Sequence, residues 1–134
     1  MDTISENILS TELQELYLQN KDWMSHVLYL TDENRFFQKL FSQNLFLIAK
    51  NHSSSQVDLV GASLEKQSEH ISKLQKLILK HQLLLEQILK DLEQKISINL
   101  IEEHAAITAE VQELLQADRI IKSQLFRMVE EGKI

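Results

Sequence analysis

Apolar residues recur along almost the whole chain at alternating steps of three and four, a heptad frame that only helices packing against helices can use. In the first segment the frame reads Leu9, Leu13, Leu16, Asn20, Trp23, Val27, Leu30, Asn34, Phe37, Phe41, Asn44, Ile48. The second reads Val57, Val60, Leu64, Gln67, Ile71, Leu74, Ile78, His81, Leu85, Ile88, Leu92, and the third Leu100, His104, Ile107, Val111, Leu114, Asp118, Ile121, Leu125, Met128. The phase does not slip within any segment, so each offers one stripe for burial. Proline is absent and glycine occurs only at Gly61 and Gly132. That near-absence of helix breakers suits a few very long helices and disfavours tight hairpins.

Capping chemistry places the ends. Thr3 with Glu6 forms a capping box, and Ser55 with Asp58 is a candidate start for a second helix after the Ser/Asn-rich stretch 51–55. Asn99 followed by Glu102 and Glu103 puts a cap and two acids where a third helix dipole favours negative charge. Gly132 sits where a helix C-terminal stop is wanted. Helices are therefore predicted over 4–50, 56–96 and 100–131. Thr31-Asp32-Glu33 also resembles a helix start, and a break there would give four helices. The heptad phase runs through that point undisturbed, which favours a continuous first helix of about 70 Å.

Short connections make consecutive helices antiparallel neighbours. The expected fold is all-α: one domain over residues 1–134, an elongated up-down-up bundle of three long helices with coiled-coil-like packing. Many apolar residues also lie off the primary stripe, among them Leu18, Tyr29, Phe36, Leu40 and Leu47 in the first segment. Leu77, Leu79, Leu83, Leu84 and Leu89 do so in the second, and Leu115, Ile120, Phe126 and Val129 in the third. A three-helix rod has one axis and cannot bury so wide a set. A homodimer, forming a larger bundle, is the simplest remedy.

Polar residues interrupt the stripe at Asn20, Asn34, Asn44, Gln67, His81, His104 and Asp118. Asn20 to Asn34, Gln67 to His81 and His104 to Asp118 are each fourteen residues apart. The first and third helices run parallel, so if Asn20 shares a layer with His104, Asn34 must share one with Asp118. Folding the second helix back about residues 97–99 brings His81 to the level of Asp118. Asn20, Asn34, Gln67, His81, His104 and Asp118 are accordingly expected to form a buried polar register layer, since a buried polar group in a coiled coil excludes misaligned pairings. The functional alternative is an Asn34–His81–Asp118 cluster that binds a metal or relays a proton, with His81, His104 and Asp118 the candidate ligands.

Other chemistry finds little support. A ferritin-type site needs Glu three residues before His. The residues in that position are Trp23, Ala49, Gln67, Ile78 and Ile101, none of them acidic. His70, with Lys73 one turn on, resembles the histidine–lysine pair of phosphotransfer bundles, but Leu74 stands where such sites place a small residue. His26 lies beside the seam. Cysteine is absent, which removes disulfides, thiolate ligands and a cysteine nucleophile. No glycine-rich phosphate cradle is present, and the adjacent acids Glu102, Glu103, Glu130 and Glu131 read as solvating or dipole-compensating charges.

Net charge is −6, from 20 acidic and 14 basic residues. That sign opposes nucleic acid, and Glu65 and Glu69 interrupt the only basic group, Lys66, Lys73, Lys76 and Lys80. No segment has the apolar length of a membrane span and the N-terminus lacks signal-peptide features, so a cytoplasmic protein is expected. The function expected is a non-catalytic interaction or scaffold bundle that self-associates and can dock a partner helix, requiring no cofactor. A metal-binding or histidine-phosphotransfer bundle is the alternative.

Overall fold

The computed structural model describes the backbone of residues 3–90 and 98–132, and side chains from Thr11 on. The Thr3–Glu6 capping box, the heptad positions Leu9 and Leu92, and the predicted helix end near 96 fall outside the described residues. Four helices pack as a bundle, with no strand among the described residues: α1 (Thr3–Gln43), α2 (Leu45–Asn51), α3 (Ser54–Lys90) and α4 (Ile98–Gly132). From Leu13 to Met128, the described positions of the heptad frame are buried, apart from Leu16, Phe41, Asn44 and Val57, which are half-buried.

Side-chain contacts fix the directions. Tyr17 reaches Glu86 while Asn34 reaches Leu64, so α1 and α3 are antiparallel. His81 meets His104 while Gln67 meets Leu114, so α3 and α4 are antiparallel too. Gln19 pairs with His104 and Glu33 with Lys122, which makes α1 and α4 parallel neighbours.

The fourth helix does not come from a break near residue 31. α1 passes through Thr31–Asn34 without interruption and yields at Asn44, whose φ of −110° and ψ of 11° leave the helical region. The amide of Asn44 still donates to Leu40 O (3.1 Å), and that of Ile48 donates to Asn44 O (2.9 Å). The Asn44 side chain donates to the same Leu40 carbonyl at 2.9 Å. A short polar side chain competing for the helix's own acceptors bends the chain without ending it. The bend lays α2 onto the end of α4 and fully buries Ile48.

Three capping expectations are corrected. The start of α3 is held by Ser53 and Gln56, not by Ser55 and Asp58. Ser53 Oγ accepts from the Gln56 amide and Gln56 Oε1 accepts from the Ser53 amide, both at 3.2 Å. That reciprocal pair uses the same spacing two residues earlier. Asn99 lies inside α4, which already begins at Ile98. Gly132 stays within the helix at a φ that is not positive, so it is no left-handed cap. Its use is proximity: a Cβ there would stand 3.2 Å from Leu47 Cβ on α2.

The apolar core divides into three clusters. The central one takes three residues from each long helix: Trp23, Val27 and Leu30; Ile71, Leu74 and Ile78; Ile107, Val111 and Leu114. A second lies at the α2 end around Phe37, Ile48, Leu64 and Leu125, and a third at the opposite end around Leu13, Leu85, Ile88 and Leu100. Buried polar residues occupy the boundaries between clusters.

Candidate functional site

The six polar residues expected to form the register layer are all buried, Asn20 and His81 completely. They sort into two layers of three, one residue from each long helix. Asn20, His81 and His104 separate the central apolar cluster from the Leu13–Leu85 end. Asn34, Gln67 and Asp118 separate it from the α2 end. With fourteen residues between layers in every helix, the layers lie about 21 Å apart.

The equal offsets of Asn20 to His104 and Asn34 to Asp118 are consistent with the contacts between α1 and α4. The placement of His81 beside Asp118 is not. His81 meets His104, and Gln67 occupies the Asn34–Asp118 level. The physical reason is leverage in an antiparallel hairpin: moving its pivot by one residue shifts the register by two. The observed α3–α4 contacts pair residues of lower number on α4 than a pivot at 97–99 would, so His81 lies opposite His104. The expected Asn34–His81–Asp118 cluster does not form.

In the first layer the two imidazoles are in hydrogen-bond contact, His81 Nε2 to His104 Nδ1 at 3.2 Å. His104 Nε2 stands 2.6 Å from Gln19 Oε1. An amide oxygen only accepts, so His104 carries a proton on Nε2, and its Nδ1 accepts from His81 Nε2–H. His81 Nδ1 lies 3.4 Å from Glu103 Oε1, within ion-pair range but without hydrogen-bond geometry. A neutral His81 in this tautomer turns a lone pair toward the carboxylate, whereas a second proton makes the contact an ion pair. The row Gln19–His104–His81–Glu103 thus runs through the bundle from α1 to α4. Trp23 covers it, its ring 4.2 Å from that of His104. Burial, then the neighbouring His81, pulls the His104 pKa down to about 4.

Beside the imidazoles, Asn20 Nδ2 donates to Gln82 Oε1 (3.4 Å) and Gln82 Nε2 to Glu86 (3.3 Å), which also accepts from Tyr17 OH (3.2 Å). Asn20 Oδ1 is buried with no hydrogen-bond partner among the described residues.

The second layer spends its amides on backbone carbonyls of neighbouring helices. Asn34 Nδ2 donates to Leu64 O (3.1 Å) and Gln67 Nε2 to Leu114 O (3.0 Å), while Asn34 Oδ1 accepts from Gln38 (2.8 Å). Among the described residues no donor hydrogen-bonds the Asp118 carboxyl. Burial, then the Glu33 carboxylate, pushes its pKa up to about 6, opposed by Lys122 and Arg119. Glu33 is held by Lys122 at 3.5 Å and by a hydrogen bond from Tyr29 OH.

Sequence reasoning missed Gln19, Gln82 and Glu103, which flank core positions and complete the histidine layer. Glu103 in particular is not simply a solvating charge. Its place immediately before a core histidine was the available signal, because such flanking positions face the next helix. His70 is half-buried, and His26 pairs with Asp22 at 3.3 Å. Among the described residues no group of three or more His, Cys, Asp or Glu side chains converges as a metal would require. Neither of two surface grooves reaches the imidazoles. One, of about 500 Å³, lies between α1 and α3 over Phe41, Val57, Gly61 and Leu64; the other, of about 190 Å³, opens beside Asn34 and Ile71.

The off-stripe apolar residues divide. Leu40, Leu77, Leu89, Leu115 and Phe126 pack against the core and Val129 is buried. Leu18, Tyr29, Phe36, Leu47, Leu79, Leu83, Leu84 and Ile120 face solvent, as do Leu28, Leu45, Phe46, Leu59, Ile98 and Ile101. Among the described residues no helix is long and apolar enough to cross a membrane. The chain matches no protein-family model, no curated protein and no solved structure.

Proposed function

We propose that this protein is a non-catalytic scaffold bundle that works through its outer helix faces, first by binding a second copy of itself and then by docking a partner helix. The observation that carries this reading is the breadth of exposed apolar surface. Phe46, Leu59, Leu18 and Leu83 are each more than 60% exposed, and Tyr29 and Phe36 each add an aromatic ring half in water. Solvent contact with that much apolar surface is unfavourable by about 25 cal/mol per Å², and covering it is what helix-to-helix association does. The buried chemistry supports the same reading, because the imidazoles and Asp118 are buried and none of the three lines either groove. Sedimentation velocity over a wide concentration range tests it. A concentration-dependent dimer supports the proposal, and a strict monomer at high concentration removes its self-association half.

The histidine pair favours one second reading. A nitrogen separation of 3.2 Å also suits two imidazoles on one tetrahedral ion, whose Zn–N bonds are about 2.0–2.1 Å. Glu103 lies on the far nitrogen of His81, however, so the pair offers two ligands on one side. Histidine NMR with added zinc separates the readings: joint shifts of His81 and His104 at stoichiometric metal favour the ion site, and unresponsive imidazoles dismiss it.

A further inference from the structure

The exposed face of α3 is sorted by charge. Glu65 and Glu69 lie in its first half, Lys73, Lys76 and Lys80 in its second, and all five are exposed. The helix dipole does not account for this, since its influence fades within the first and last turns. Glu65 begins eleven residues after Ser54, and Lys80 stands ten before Lys90. Among the described residues neither Glu65 nor Lys76 forms an ion pair. Steps of four, four and three residues from Glu65 to Lys76 keep the charges on one side of the helix.

Leucines bracket the charges symmetrically. Leu59 and Leu83, 68% and 62% exposed, stand twelve residues before and twelve after Ile71. Glu69 and Lys73 stand two residues on either side of it, and Glu65 and Lys76 six before and five after. Reversing the helix about Ile71 therefore lays leucine on leucine and carboxylate on ammonium. A parallel pairing would set like charges against each other. The only partner guaranteed to carry the complementary pattern at the complementary spacing is another α3.

We infer that two copies of this chain associate through antiparallel α3 helices about a two-fold axis near Ile71, with Leu59 against the partner's Leu83 and Glu65 and Glu69 against the partner's Lys76 and Lys73. The inference rests on the self-association proposed above and deepens it by naming the face. The contact is isologous, so each pairing occurs twice and the assembly closes at two. Lys66 is the one cation in the acidic half and would lie near the partner's Lys76.

Charge exchange tests the pairing, read by sedimentation equilibrium at low and high salt with far-UV circular dichroism as the check on folding. The substituted side chains are exposed, so the fold is expected to persist. Glu65→Lys and Lys76→Glu should each weaken the dimer by at least about tenfold, because each puts two like-charge contacts across the axis. The double variant carrying both should regain most of the lost affinity, and Lys66→Glu should tighten the dimer. Salt should weaken the wild-type dimer. The chain has no cysteine, so Ser72→Cys can be spin-labelled uniquely, and a label pair within about 25 Å is expected across the axis. A dimer indifferent to both single reversals overturns the α3 interface while leaving self-association intact. A folded wild-type monomer at every concentration overturns both.

Discussion

His104 and Asp118 should oppose each other as pH falls, and the opposition can be measured by removing either one. His104 titrates near pH 6.5 when unfolded and near 4 in the bundle, so its folded pKa is depressed. Its contribution to stability is fully present above pH 6.5 and is lost as pH falls toward 4, because the unfolded chain takes up the proton first. Asp118 moves from 3.8 to about 6, so its folded pKa is raised. Its contribution is fully present below 3.8 and is lost as pH rises through 6. Each displacement spans a little over two pKa units, or about 3 kcal/mol at roughly 1.4 kcal/mol per unit. The two effects share one pH window and have opposite signs, so wild-type stability should carry little net slope from this pair between pH 4 and 6.5. Asp118→Asn should expose the histidine: stability relative to wild type should be greatest at pH 7 and the advantage should vanish by pH 4. His104→Gln should show the reverse trend, gaining relative to wild type as the solution is acidified. Urea unfolding followed by the single tryptophan, Trp23, at pH 4, 5, 6 and 7 reads both directly. Comparison between variants cancels the background of other carboxylates. Parallel pH profiles for the two variants would refute the reasoning, since they would mean that neither burial perturbs its group.

Other expectations follow from single contacts. Gly132→Ala should raise the melting temperature less than Gly61→Ala does, since the new Cβ would meet Leu47 Cβ at 3.2 Å and α2 must give by a few tenths of an ångström, which offsets the gain in helix propensity. Gly61→Ala should stabilise the fold by about 1 kcal/mol, because its Cβ would only touch the Phe41 ring at 3.5 Å while the helix gains a better former. Ser53→Ala should cost about 1 kcal/mol in thermal or urea unfolding, with Ser55→Ala nearly neutral; the opposite ranking would return the α3 cap to Ser55. Replacing all six layer residues by apolar ones of similar size should raise resistance to urea yet broaden the distances between spin labels on α1 and α3. One sharp distance distribution would refute a role for the layers in register.

The fold was legible because burial follows the heptad frame almost residue by residue, and a frame of steps of three and four is a direct image of helix geometry. Less legible was anything decided by one or two residues of register. The break at Asn44 leaves the hydrophobic phase intact, so periodicity carries no trace of it. The true cap, Ser53 with Gln56, competed with three other small polar residues in the same stretch, and only backbone geometry selects among them. His81 was assigned to Asp118 because the loop pivot was placed a few residues late, and an antiparallel hairpin doubles such an error. Between the parallel helices α1 and α4 no pivot enters, and there the spacing tied the Asn20–His104 pair to the Asn34–Asp118 pair without fixing either alone.

The fourteen-residue interval does more than repeat a pattern. Slide α3 by one heptad and Asn20 with His104 would face Leu74 or Ile88, while Asn34 with Asp118 would face Val60 or Leu74. Gln67 and His81 would enter apolar clusters in turn. A slide would part His81 from His104 and Asn20 from Gln82, and each buried polar group left without its partner costs about 1–3 kcal/mol, a sizeable share of a domain's usual margin of stability. A slide of two heptads realigns one layer but strands the other and removes about 21 Å of helix overlap with its apolar contacts. A uniform apolar seam would have no such penalty at seven, because leucine facing isoleucine in the next heptad is nearly as good as in its own. The histidine layer is accordingly expected to favour the observed register of α3 over its one-heptad neighbours, whatever further use the pair has.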